Sequence, residues 1–305
     1  MLHRPRMRIL FITATRIGDA VLSTGLLDHL LRTYPEARFT IACGPVAEGV
    51  FARMPRREAT LVVDKRRFDL HWLRLWRQTV GTMWHLIVDL RGSALSFLLP
   101  ARRRAVMRGG RRPGHKLVQL AGALGVAPPP PPACWTGADD RARAEALLPP
   151  GPPYVGLGPT ANWSGKLWPA ERFVELFRAV QDQALPGARP VVFAGPGAAE
   201  QAMAAPVLAA LPDAIDLTGR LSLPEASACL SRCALFVGND SGLMHLAAAA
   251  GAPTLGLFGP TPAAEYGPVG RHAAIALAPG PAGAAPMAGL AVDDVVAAAR
   301  GLLRR

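Results

Sequence analysis

Short apolar runs alternate with longer stretches of helical period along most of this chain, and the alternation stops at five consecutive prolines, 128–132, and then restarts. Strand followed by crossover helix, repeated, builds parallel sheet with helices on its faces. "RILFITA" (8–14), "RFTIAC", "ATLVVD" and "WHLIVDL" read as strands of a first half. "DAVLSTGLLDHLLRTYP" places Leu22, Leu26 and Leu30 on one face, widened by Leu27 and Leu31, and predicts an amphipathic helix capped by Asp19 and stopped by Pro35. Prolines cannot continue a helix or a central strand, so 128–132 predicts a stiff linker or surface crossing.

Beyond it the same order returns. "PYVGLGP", "RPVVFAGP", "AIDLTG", "ALFVGND" and "PTLGLFGP" read as strands. "PAERFVELFRAVQDQ", with Pro169 in its first turn, "AAEQAMAAPVLAAL", "LPEASACLSRC", "SGLMHLAAAAG" and a closing "AVDDVVAAARGLLRR" read as helices. The expected architecture is α/β, two Rossmann-like parallel-sheet domains, 1–135 and 136–305, facing each other across an interdomain cleft, because ligands in such sheets bind at the carboxyl ends of the strands.

Charge separates the halves. Residues 1–135 hold 22 Lys and Arg against 8 Asp and Glu, whereas residues 136–305 hold 12 against 14. The excess gathers in "RMPRRE", "DKRRF", "FDLHWLRLWRQTVG" and "ARRRAVMRGGRRPGHK". A face of that kind attracts polyanions through long-range Coulomb steering. With no helix-turn-helix, zinc-finger spacing or RNP-type strand, nucleic acid is not the expected partner; an anionic membrane surface or a phosphorylated substrate is. Trp72 and Trp76, among Leu73, Arg74, Leu75 and Arg77, suit either a helix lying on lipid or one packed on the core. The N-terminal arginines lead straight into a strand without a signal-peptide pattern, and the long apolar stretches are broken by Gly and Pro, so a cytosolic chain is expected. Cys43, Cys134, Cys229 and Cys233 lack a metal signature and are expected to be buried thiols.

Three segments at predicted strand ends carry polar chemistry. In "TRIGDAVLST", Gly18 suits a tight turn and Asp19 either caps the helix or projects toward ligand. "GPTANWSGKLWP" joins small residues to a cation, Lys166, ahead of a helix; these are the parts of a phosphate cradle without P-loop spacing. "AGPGAAE" does not complete GxGxxG. In "FVGNDSGLMHL", Asp240 and Ser241 suit the cap of a helix starting at Leu243, Gly242 allows close approach to the backbone, and His245 lies on the first turn. Helix N-termini favour phosphate.

"RIGDAVLSTGLLDHLLRTYPEARFTIACGP", "GKLWPAERFVELFRAV" and "LTGRLSLPEASACLSRCALFVGNDSGLMHLAAAAGAPTLGLFGPT", with the basic middle segment between them, resemble the heptosyltransferases of glycosyltransferase family 9 in the same order over nearly the whole chain. The resemblance implies a GT-B fold and metal-independent, inverting transfer of heptose from ADP-heptose to the lipopolysaccharide inner core, whose Kdo carboxylates and lipid A phosphates suit a basic first half. It implies Asp19 as general base, Lys166 as phosphate-binding lysine, and Asp240, Ser241, Gly242, Leu243 and His245 as the donor block. Thr160 and Leu221 fall near donor phosphate and adenine positions. Residues 1–135 are then the acceptor domain, with Arg102, Arg103, Arg104, Arg111 and Arg112 as candidate acceptor contacts, and residues 136–305 the nucleotide-sugar domain. No cofactor or metal is expected beyond the ADP-sugar substrate. The expected partners are that nucleotide sugar, an anionic glycolipid and the inner-leaflet membrane surface, the expected state a monomer, the location cytoplasmic and peripheral to the inner membrane. "PTANWSGK" and the long proline run depart from the family's usual form, which leaves the exact sugar open. Alternatives are a family-9 enzyme with another nucleotide sugar or acceptor, a Rossmann-type epimerase or oxidoreductase, opposed by the missing GxGxxG, and a non-catalytic binding protein, opposed by Asp19, Lys166 and Asp240.

Overall fold

The computed structural model describes residues 7–64, 70–107 and 113–304. The chain divides into two compact units, Met1–Trp135 and Thr136–Arg305.

Unit 1 is built on a parallel sheet of β1 (Arg8–Ile12), β2 (Arg38–Cys43), β3 (Arg57–Val62), β4 (Trp84–Asp89) and β5 (Ala101–Val106), in the order β3-β2-β1-β4-β5. Its helices are α1 (Ile17–Thr33), α2 (Leu70–Thr79) and α3 (Lys116–Leu124). The central β1 buries Ile9, Leu10, Phe11 and Ile12, as a strand covered on both faces must. The fifth strand was not expected: "ARRRAV" reads as a charge cluster, yet it pairs with β4 from Trp84↔Ala101 to Asp89↔Val106. An edge strand needs no apolar alternation and tolerates charge, which also discourages edge-to-edge pairing.

Two turn expectations for α1 are corrected. The helix begins at Ile17 with Arg16 as N-cap and no side-chain cap bond, so Asp19 is the third residue of the first turn and not its cap. Gly18 is likewise inside the helix, without a left-handed φ. The turn is made before it, by Ala14–Arg16. The proline run, expected as a stiff linker or surface crossing, is held against unit 1. It lies along α1: a side chain on Gly25 would collide with the carbonyl oxygens of Pro130 and Pro131, and the Ala133 N–H donates to Thr24 Oγ1 at 2.9 Å.

For α2 the core reading holds. His71, Leu75 and Thr79 are buried, and Trp72 and Trp76 pack against the cluster formed by Leu10, Ile12, Trp84 and Ile87. Trp76 Nε1 donates to the Leu98 carbonyl at 3.3 Å.

Unit 2 carries β6 (Tyr154–Gly158), β7 (Arg189–Val192), β8 (Ile215–Asp216), β9 (Leu235–Asn239), β10 (Thr254–Phe258) and β11 (Ala273–Leu277), in the order β11-β10-β9-β6-β7-β8, all parallel. Its helices are α4 (Ala138–Leu147), α5 (Ala170–Gln183), α6 (Ala198–Ala210), α7 (Leu223–Leu230), α8 (Gly242–Ala249), α9 (Ala263–Tyr266) and α10 (Val292–Leu303). The closing α10 packs on α5 and β11, burying Val295, Val296, Ala299 and Leu302. The strands run outward from β6 to β8 on one side, then from β9 to β11 on the other. Their order therefore reverses between β6 and β9, and in open parallel sheets ligands bind in the crevice beyond the strand ends at such a reversal.

Candidate functional site

The reversal point of unit 2 assembles most of its predicted site. β6 and β9 pair up to Gly158↔Gly238, so the loops that follow them leave the sheet side by side. The first loop is anchored by Trp168. Its indole is almost fully buried and donates to the Leu290 carbonyl at 2.9 Å, while its backbone N–H donates to Asn239 Oδ1 at 3.1 Å. The end of β9 thus holds the loop that presents Lys166.

Lys166 closes a single 3-10 turn, Ser164–Lys166. Its ammonium contacts Asp240 Oδ2 at 2.6 Å, with side chains 14% and 8% exposed. The same oxygen accepts the Thr261 hydroxyl at 2.9 Å. Three strand-end loops, after β6, β9 and β10, therefore converge on one carboxylate. Lys166 and Asp240 were both assigned to ligand, but not to each other, and Thr261 was missed; it lies in the quoted "GLFGPT", and only the adjacency of β10 to β9 connects it to Asp240.

The helix above the pair is α8, which starts at Gly242, one residue before the expected Leu243, with Ser241 as N-cap. Neither expected cap works as one. Ser241 makes no side-chain cap bond, and Asp240 is committed to Lys166 and Thr261. Ser241 Oγ and Asn239 Nδ2 are buried without a hydrogen-bond partner among the described residues. Native structures leave few such groups, so this pair, at the end of β9 and at the N-cap of α8, is open to a polar partner. α8 sits low on the sheet because β10 has no side chain at Gly256, where a Cβ would fall 2.5 Å from Met244 Sδ. Leu243 is half-buried and His245 buried in its first turns. Thr160 is buried just past β6, and Leu221 is half-buried between β8 and α7 at the same edge of the sheet. Two strand spacings separate β6 from β8, about 10 Å along that edge.

Chemically, the arrangement offers a cation and the first-turn N–H groups of α8 to an anion, and a carboxylate to hydroxyls. An arriving phosphate competes with Asp240 for Lys166.

In unit 1, Asp19 is half-buried in the first turn of α1, and its carboxylate has no hydrogen-bond or ion-pair partner among the described residues. Thr13 Oγ1 donates to Ser23 Oγ at 2.9 Å, which in turn donates to the Ala20 carbonyl at 2.7 Å, tying the end of β1 to the helix that carries Asp19.

The basic candidates divide. Arg102 and Arg103 are exposed on β5, and no carboxylate pairs with either among the described residues. Burial, with the nearby Arg102 charge, lowers the His85 pKa. Arg104 is spent on the backbone, donating to the carbonyls of Ser96 (2.8 Å), Ala101 (3.3 Å) and Leu99 (2.5 Å). Arg111 and Arg112, like the "KRRF" of 65–68, lie outside the described residues. The Cys43 and Cys229 thiols are pushed up to about 12 and about 11, and Cys233 higher still, chiefly by burial, which suits inert packing. No group of His, Cys, Asp and Glu suited to a metal, and no helix long and apolar enough to cross a membrane, occurs among the described residues.

Comparison with known proteins agrees with this architecture. The lipopolysaccharide heptosyltransferase 2 of Salmonella typhimurium is 26% identical over 297 residues, covering 84% of this chain and 83% of that protein. The crystal structure of a family 9 glycosyl transferase from Veillonella parvula superposes with a TM-score of 0.83 at 22% identity, covering 98% of this chain and 97% of the other. The E. coli ADP-heptose lipopolysaccharide heptosyltransferase II gives 0.77 at 21% identity, with 98% and 99% covered. These likenesses establish a GT-B fold. The profile of glycosyltransferase family 9 (heptosyltransferase) matches residues 114–286. With that match over more than half of its length, the chain belongs to glycosyltransferase family 9 and is a glycosyltransferase.

Proposed function

We propose that this protein transfers heptose from ADP-heptose to an acceptor sugar of the lipopolysaccharide inner core, with inversion and without a metal ion. The observation that carries the reading is the Lys166–Asp240–Thr261 cluster beneath the N-terminus of α8, in a family whose relatives carry heptosyltransferase names. The diphosphate occupies the Lys166 side of the reversal point, drawing the ammonium from Asp240. The adenine lies along the strand edge toward Leu221, and Asp240 holds sugar hydroxyls. Thr160, Ser241, Gly242, Leu243 and His245 complete the donor site.

The chemistry is one displacement. The acceptor hydroxyl oxygen attacks the anomeric carbon from the face opposite the diphosphate, its proton passing to Asp19. The glycosidic C–O bond breaks, and its electron pair leaves on the diphosphate. Lys166 and the α8 N-terminus stabilise that charge, the role an Mg²⁺ ion has elsewhere. The test is transfer from ADP-heptose to heptose-free lipopolysaccharide by protein treated with EDTA. Undiminished turnover with an inverted anomeric centre in the product is expected; activity or donor affinity that collapses on chelation overturns the metal-free mechanism.

The acceptor is anionic, and unit 1 is the basic half. Reversing Arg102 and Arg103 together to Glu is expected to raise the acceptor KM and its salt sensitivity without changing donor affinity. An unchanged acceptor KM at low salt removes both residues from the acceptor surface. Arg104→Glu is expected to lower the melting temperature instead, because it strips donors from three carbonyls. Peripheral association with the inner leaflet belongs to the same proposal: Leu70, Leu73, Phe97 and Leu98 are exposed apolar side chains in a unit rich in arginine.

A further inference from the structure

Unit 1 has a reversal point of its own. Its strand order turns back between β1 and β4, which pair up to Ile12↔Asp89. The Leu90 N–H donates to the Ile12 carbonyl at 2.9 Å, so the loop that leads to Asp19 and the loop 90–93 leave the sheet together. By the rule that located the unit 2 site, this edge is where a ligand of unit 1 binds.

Loop 90–93 is held rigidly by Asp89. That carboxylate is fully buried at the end of β4. Its Oδ1 accepts the Arg91 N–H at 2.9 Å, and its Oδ2 accepts the Ser93 N–H at 2.9 Å and the Ser93 hydroxyl at 2.6 Å. The side chain of Arg91 is fixed as well, with its guanidinium 4.9 Å from the centre of the Trp72 ring, itself packed on the core. Backbone and head group are thus both ordered before any ligand arrives. Arg91 is half-buried, and among the described residues its guanidinium donates no hydrogen bond and pairs with no carboxylate. A stacked planar cation with unspent N–H groups matches an oxyanion through paired hydrogen bonds.

We propose that Arg91, stacked on Trp72, binds an oxyanion of the acceptor, a sugar carboxylate or a phosphate, and so orients the acceptor hydroxyl for Asp19. This rests on the acceptor reading above and adds to it a binding residue that lies apart from the arginine cluster on β5.

The variants are Arg91→Met, which keeps an apolar stem against Trp72 and removes the charge, and Arg91→Lys, which keeps the charge and loses the planar fork. Three acceptors are compared: heptose-free lipopolysaccharide, the same material dephosphorylated, and the same with its carboxyls esterified. On the first, Arg91→Met is expected to raise the acceptor KM about 10- to 100-fold, the loss of a charge-assisted hydrogen bond, with donor KM and melting temperature unchanged and Arg91→Lys between the two. The penalty disappears on the esterified acceptor if the anion is a carboxylate, and on the dephosphorylated one if it is a phosphate. A penalty that persists on both, a donor KM that rises equally, or an acceptor KM within about twofold of wild type overturns the proposal. Calorimetric binding of the deacylated glycan without donor gives the same comparison without turnover. A mistaken donor assignment, which silences the assay but not the binding, is thereby separated from a mistaken role for Arg91.

Discussion

Asp19→Asn is expected to lower kcat by about 10²- to 10⁴-fold, the range for a lost general base, while melting temperature and ADP affinity stay at their wild-type values. The amide keeps the shape of the carboxylate and cannot take the acceptor's proton. The structure sharpens the experiment, because Asp19 caps nothing: Arg16 is the N-cap of α1, and among the described residues the carboxylate has no partner to lose. Even Asp19→Ala is therefore expected to cost only the favourable placement of a negative charge in a first helical turn, about 0.3–1 kcal/mol. Activity, stability and donor binding are measured on the same two variants. Retention of more than about a tenth of wild-type kcat by Asp19→Asn removes it from the mechanism, since even the weakest general-base effect is larger.

Lys166→Met is expected to impair both chemistry and folding. Loss of one positioned group that stabilises developing charge costs about 10²- to 10³-fold in kcat, and donor affinity falls with it. The variant also leaves Asp240, 8% exposed, with Thr261 as its remaining side-chain partner. Removing one member of a buried pair costs about 3–5 kcal/mol. The double variant Lys166→Met/Asp240→Asn isolates the cost in stability, because neutralising both partners removes the stranded charge. Denaturant unfolding should show stability returning toward wild type, while turnover stays low. Recovered turnover in the double variant would mean that Lys166 serves only the ion pair.

Much of the fold is legible in the chain itself. Parallel strands buried on both faces must be continuous apolar runs, so β1, β2, β4, β6, β9 and β10 stand out in the sequence, and helices such as α5 and α10 show the 3.6-residue stripe. β5 was hidden for the opposite reason: an edge strand satisfies its ladder on one side only and can consist largely of arginine. β11, with Ala at three of its five positions, is similarly weak as a local signal.

The residues of the proposed donor site were legible as types at strand ends, and their relations were not. Lys166 and Asp240 are 74 positions apart, and Asp240 and Thr261 are 21 apart. Local propensity acts over a few residues, whereas these contacts exist because β9 lies between β6 and β10. Strand order also places Arg91 beside the loop to Asp19, and packing alone turned Trp72 and Trp76 toward the core and laid the prolines against Gly25. The strand and helix periods, the asymmetry of charge and the family's motifs are written in the chain, since these depend on neighbours along it. Which carboxylate holds the lysine, and which arginines are spent on carbonyls, depends on the folded packing, because hydrogen bonds and ion pairs are settled by distance in space.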